Sequence, residues 1–130
     1  MENTMNPSAI KTDKAPAAIG PYSQAINYNQ LLFTSGQLPL DPNTGKLIEG
    51  SIADHANRVF RNIAAIAEEA GTSLERTVKT TVFLADISDF QAVNEVYKEY
   101  FSEPYPARSA FQVAALPLGA KIEVEAVIAL

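Results

Sequence analysis

The hydrophobic pattern changes period along the chain, and each change marks an element. Apolar positions in "AINYNQLLFTS" fall into two short segments, Ala25 to Tyr28 and Leu31 to Ser35, on either side of Asn29-Gln30. Two such runs around a two-residue polar break read as paired strands joined by a turn. Gly36 then interrupts the pattern, and glycine in or beside a strand marks a bulge or a close backbone approach. "DPNTG", Asp41 to Gly45, is a strong turn signal, because Asp bonds the backbone, Pro presets φ and Gly tolerates positive φ. A short strand is expected next at Lys46 to Glu49. Residues 1 to about 16 are polar without a clear period, and one short strand is read near Ala9 to Thr12.

From Ser51 the period lengthens. Val59, Ile63, Ile66 and Ala70 recur at helical spacing, with Phe60 and Ala67 widening the stripe. Ser51 and Asp54 suit the N-terminal cap, and Gly71 suits the C′ position. "TVKTTVFLAD" is a β-branched strand. "SDFQAVNEVYKEYF" is a second helix with Phe90, Val93, Tyr97 and Tyr100 as its apolar stripe and Ser88 with Gln91 as a capping box. Pro104 and Pro106 stop it. The strand around Arg108 and the strand "KIEVEAVIAL" complete the chain.

The order is β-β-β-α-β-α-β-β, and no repeat or linker divides residues 1–130, so one domain is expected. Right-handed crossovers put both helices on one face of a mixed sheet. The chain has no further element to cover the other face, which points to self-association through it.

Composition narrows the chemistry. The 130 residues include no cysteine and one histidine, His55. That excludes disulfides, a thiol nucleophile and a zinc site with several histidine ligands. The net charge is −5, and the ten Lys and Arg are scattered singly. Such a distribution counts against nucleic acid as the main partner. No apolar run reaches membrane-spanning length, and the N-terminus lacks a signal-peptide pattern, so a cytoplasmic location is expected.

Two charged residues stand out. Arg108 lies in "PYPARSAFQV", otherwise small or apolar apart from polar Ser109 and Gln112, and the next charge after it is Lys121. It fits a snorkelling surface arginine at an edge strand. The local sequence favours that reading; the functional one is a carboxylate anchor, since guanidinium is a rigid fork of donors that stays charged when partly buried. Glu123 shares a strand face with Lys121 and Glu125, while Ile122 and Val124 take the other. That face is either solvated or carries a carboxylate that holds a water and moves a proton. Tyr22 in "GPYSQ", Ser35 and Gly36 in "FTSGQLP", and Asn94 on the second helix each have an ordinary packing or turn reading. For Gly36 there is also a functional one, a bared backbone N–H for an anion. His55, in the first turn of a helix, fits a surface or cap-adjacent role.

If Arg108 and Glu123 sat on a simple hairpin turning at Pro117 to Gly119, Arg108 would face about Ile128 and Glu123 about Val113. They would then lie roughly 16 Å apart along the strands. Sharing one small-ligand site requires that the strands are not simply paired or that one residue comes from a neighbouring subunit.

"AIGPYSQA", "FTSGQLPLDPNTGKL", "VKTTVFLADISDFQAVNEVY", "PARSAFQVAALP" and "KIEVEAVIA" resemble the RidA (YjgF) family of reactive intermediate deaminases, over about Ala15 to Ala129. The resemblance is to its 2-iminobutanoate/2-iminopropanoate deaminase subfamily. It implies a chorismate-mutase-like α+β fold, a homotrimer with sites between subunits, and a role in limiting metabolite damage, with no cofactor and no metal. It further implies that Arg108 grips the carboxylate of a small imino or enamino acid and that Glu123 activates water. Gly36 would offer its N–H, Tyr22 would close the cleft, and Asn94, Ser35 and Ala110 would line it. Many members carry cysteine at the position of Ala110, so only the backbone N–H remains there. The segment before Pro106 is about three residues shorter than in some relatives. A non-catalytic trimer that senses small carboxylates such as 2-oxo acids is the alternative, and RNA binding or cleavage, proposed for relatives, fits the acidic balance least.

Overall fold

A computed structural model describes residues 6–130 of the chain. The first five residues of the polar N-terminal stretch lie outside the described residues. The elements are β1 (Ser8–Ile10), β2 (Ala25–Tyr28), β3 (Leu31–Thr34), α1 (Ile52–Glu69), β4 (Thr77–Leu84), α2 (Phe90–Tyr100), β5 (Ala107–Gln112) and β6 (Ile122–Ala129). They form a mixed α+β structure with one six-stranded sheet in the order β1-β2-β3-β6-β4-β5. Among the described residues only β4 and β5 run parallel, joined across α2. Among the described residues no helix is long and apolar enough to cross a membrane.

Asn29 and Gln30 both take positive φ, the geometry of the tight hairpin turn whose twist matches the strands it joins. The β-β-β-α-β-α-β-β order holds, but its first three strands differ from expectation. β1 supplies one of them, and Lys46 to Glu49 makes none. In that region only Leu40 and Leu47 form an isolated bridge. The Asp41 N–H donates to the Lys46 carbonyl and the Ile48 N–H to the Pro39 carbonyl on either side of that bridge, so the two arms of the turn meet without extending into a strand. The capping box at Ser88 and Gln91 also does not form. Asp86 instead accepts from the Ser88 N–H and Oγ and starts a short 3₁₀ turn, Ile87–Asp89, that leads directly into α2. The expected box at Ser51 and Asp54 is present, with both reciprocal bonds made.

Both helices pack on one face. Ile122, Val124, Ala126 and Ile128 of β6 and Thr80, Val82 and Leu84 of β4 point at them and are buried. Val59, Phe60, Ile63, Ile66 and Ala67 of α1 complete that core at helical spacing. Phe60 meets Tyr97 edge-on at 5.6 Å, which ties α1 to α2. The opposite sheet face has no covering layer within the described chain. It bears Phe33 and Phe111, 41% and 45% exposed, with Phe83 set edge-to-face on Phe111. Glu123 and Glu125 share this open face.

Candidate active site

The sheet register separates the two charged residues that the sequence singles out. β5 does not pair with β6, as a simple hairpin would require; β4 lies between them. Arg108 is level with Thr80 and Ala126, whereas Glu123 is level with Phe83 and Phe111. Three residues along and two strands across put their Cα atoms about 14 Å apart. Their side chains also leave opposite faces. Arg108 points to α2, and Glu123 points to the open face.

On the helix side, α2 builds a seat for Arg108. Its Nη1 donates to Asn94 Oδ1 at 2.7 Å. Its Cζ lies 4.8 Å from the Tyr97 ring centroid and 5.2 Å from that of Phe90. The guanidinium borders an open cavity of about 570 Å³ that Gln91, Tyr105 and Pro106 also line. Ala110, half-buried two residues along β5, points the same way and packs on the core.

On the open side, Gly36 and Glu123 are in close approach. β3 pairs with β6 through Phe33 and Val127, and pairing resumes at Gln37 and Val124. Four residues on one strand therefore span three on the other, which is a β-bulge. Two backbone bonds between Gln37 and Val124, of 2.8 and 3.1 Å, lock the bulge against β6. A Cβ at Gly36 would stand 2.8 Å from Glu123 Cδ and closer still to Oε2. Both readings of this glycine, bulge and close approach, therefore hold together. Burial, with the charge of Glu125 adding to it, pushes the Glu123 carboxyl above its ordinary value.

Ser35 ties this bulge to the loop that carries Tyr22, since its Oγ donates to the Ser23 carbonyl at 2.6 Å. Tyr22 is half exposed and its hydroxyl accepts from the Ile19 N–H. The structure thus collects the sequence-predicted residues into two groups. Arg108, Asn94 and Ala110 form one; Glu123, Gly36, Ser35 and the Tyr22 loop form the other. Two further residues carry structural weight that the sequence reading did not assign. Asn62 is fully buried, and its Nδ2 donates to the carbonyls of Leu38 and Leu40, holding the segment after the bulge. Thr80 bonds the Tyr97 hydroxyl at 2.7 Å. A polar residue inside an otherwise apolar helix stripe was the available signal for Asn62; nothing local distinguished Thr80.

The sequence profile of the family described as Endoribonuclease L-PSP matches residues 12–130. The human 2-iminobutanoate/2-iminopropanoate deaminase is 52% identical over 118 residues, 91% of this chain and 86% of that protein. The chain belongs to the RidA family. RidA from the Antarctic bacterium Psychrobacter is 51% identical, with a TM-score of 0.90 over 95% of this chain and 99% of that one. Escherichia coli TdcF, solved with bound serine, is 41% identical with a TM-score of 0.89, covering 95% of this chain and 98% of that one.

Proposed function

We propose that this RidA-family chain is a 2-imino acid deaminase with a chorismate-mutase-like subunit, working as a homotrimer. The observation that carries the reading is the division of the candidate residues between opposite sheet faces. A carboxylate anchor and a water-activating carboxylate about 14 Å apart in one chain cannot act on one small substrate. Two copies can supply them, with Arg108, Asn94 and Ala110 from one and Glu123, Gly36, Ser35 and Tyr22 from its neighbour. The uncovered face with Phe33 and Phe111 supports association on the side that carries Glu123. The deaminase name of the human relative and the serine held by TdcF support a small amino-acid-like ligand with a carboxylate.

The chemistry needs neither a covalent nucleophile nor a metal. An imine carbon is electrophilic, most of all when its nitrogen is protonated. Arg108 grips the substrate carboxylate through paired N–H donors. Glu123 takes a proton from water as the water oxygen bonds to the imine carbon, giving a carbinolamine. The same carboxyl returns that proton to nitrogen; as the C–N bond breaks, the carbinolamine hydroxyl gives its proton to the freed Glu123 carboxylate, the carbonyl forms, and the 2-oxo acid leaves with ammonia, which carries that proton away as ammonium. A raised Glu123 pKa suits a group that must both accept and give a proton near neutrality. Holding water and substrate together removes much of the orientational barrier. The test couples the protein to a threonine dehydratase and follows imine decay. Arg108→Ala should lower kcat/KM by roughly 100- to 10,000-fold, the worth of two charge-assisted hydrogen bonds, while the fold and trimer persist. Decay at the parent rate would remove the anchor role.

A further inference from the structure

The seat beneath Arg108 has a composition that packing alone does not require. We propose that Tyr97, held by Thr80 and assisted by Phe90, is a positioning residue that sets the plane of the Arg108 guanidinium for carboxylate capture. The proposal rests on the anchor reading of Arg108 given above. Phe90, Asn94 and Tyr97 recur at i, i+4 and i+7, so they form one stripe on α2. Arg108 lies across that stripe, with two ring faces at 5.2 and 4.8 Å and an amide oxygen at 2.7 Å. Both ring distances are within the range of cation–π attraction.

Every one of these partners is neutral. Glu95 borders the same cavity, but it is engaged by Lys98 at 3.2 Å. Among the described residues no carboxylate pairs with Arg108. A charged partner would orient the guanidinium but also occupy the donors a substrate needs. Rings and one amide oxygen orient it and leave its remaining N–H groups and its full charge for an incoming anion.

The platform itself is rigid. Tyr97 is buried, flanked by Phe60 edge-on and by Phe101 at 4.4 Å. Its hydroxyl is bonded to Thr80, which is fully buried and is the register partner of Arg108 in the neighbouring strand. The strand pair that places the Arg108 backbone therefore also fixes the ring under its side chain. The loop closes through Arg108, Tyr97, Thr80 and the sheet.

The substrate carboxylate keeps its charge throughout imine hydrolysis. Losing the platform weakens its capture equally in the ground and transition states, so the loss falls on KM and not on kcat. In the experiment, the assembled protein is titrated with 2-oxobutanoate by calorimetry and assayed on 2-iminobutanoate generated in situ. The set is the parent, Tyr97→Leu, Phe90→Leu, Tyr97→Phe and Arg108→Ala. Tyr97→Leu and Phe90→Leu should weaken 2-oxobutanoate binding and raise KM by about three- to thirtyfold, the range of cation–π contributions, with kcat within about twofold. Tyr97→Phe keeps the ring and its packing on Phe60 and Phe101 but loses the Thr80 bond, so it should recover most of the KM loss and not all of it. Phe90 is only partly buried, so its variant decides the matter if Tyr97→Leu does not fold. Unchanged binding in a folded Tyr97→Leu or Phe90→Leu, or a fall in kcat with KM unaltered, would overturn the platform role. Arg108→Ala separates the two readings. If it loses binding while the ring variants do not, only the platform is wrong; if it binds and turns over like the parent, both are.

Discussion

Replacing Gly36 with alanine should slow imine hydrolysis about a hundredfold while leaving the subunit folded. The added Cβ would lie 2.8 Å from Glu123 Cδ, 3.1 Å from Cγ and nearer still to Oε2. Ordinary contact for such atoms begins near 3.4 Å, so the carboxylate must move by about 1 Å. The backbone cannot yield instead, because the Gln37–Val124 bonds pin the bulge to β6. A flexible carboxylate can rotate away for about 0.5–1.5 kcal/mol of rotamer cost. Reduced freedom of the unfolded chain offsets this by about 0.4–1 kcal/mol, since Gly36 is not in the left-handed region that would strain alanine. Net stability should therefore change by less than about 1 kcal/mol. A water-activating group displaced by 1 Å, however, costs on the order of a hundredfold in rate. The assay is threonine dehydratase coupling with semicarbazide trapping of surviving imine, alongside thermal melting. A folded Gly36→Ala within threefold of the parent rate would refute the argument that the Gly36 approach sets the position of Glu123. A large fall in melting temperature would refute the claim that the side chain can relieve the clash cheaply.

Three other outcomes follow from the same geometry. Glu123 must be ionised to take a proton from water, so activity should rise with pH through a limb above the ordinary carboxyl range; Glu125→Gln removes a like charge and should move that limb to lower pH, as read from a kcat profile. A limb that stays or moves upward would exclude Glu123 as the titrating base. His55 is buried with Nδ1 unpartnered, and burial, reinforced by the charge of Lys121, lowers its pKa. The fold takes up that proton less readily than the unfolded chain, so stability should be lost as pH falls from about 6.5 through the folded value, and His55→Gln should flatten that part of a urea-midpoint profile. Phe33→Glu should leave the secondary structure intact yet yield monomers by light scattering after gel filtration, because an exposed ring on the open face becomes a charge at the proposed subunit boundary; a persistent trimer would place that boundary elsewhere.

Much of the fold was legible in the chain because its causes are local. The 3.6-residue stripe of α1, its Ser51–Asp54 cap, the Asn29-Gln30 turn and the alternation in β6 each depend on a few neighbouring residues. Arg108 and Glu123 stood out for the same reason, as charges in strands where apolar neighbours predominate. The misread pieces were also local. Lys46 to Glu49 had strand-like composition but makes a single bridge, Leu47 to Leu40, and Asp86 takes both Ser88 donors to cap the 3₁₀ turn that precedes α2.

The sequence alone marked Gly36 as a break beside a strand and Arg108 as an unusual charge. It could not say what lay against either, because strand order is decided by long-range pairing. Only the tertiary structure inserted β4 between β5 and β6, which put Arg108 level with Ala126 and two strands away from Glu123. It alone brought Thr80, Tyr97 and Phe90 beneath the guanidinium, residues a local reading assigns to an ordinary strand and an ordinary apolar stripe. The physical reason is the same in both cases. Periodicity tells which face of an element is buried, but the partner on that face comes from sheet topology, which no short window of sequence encodes.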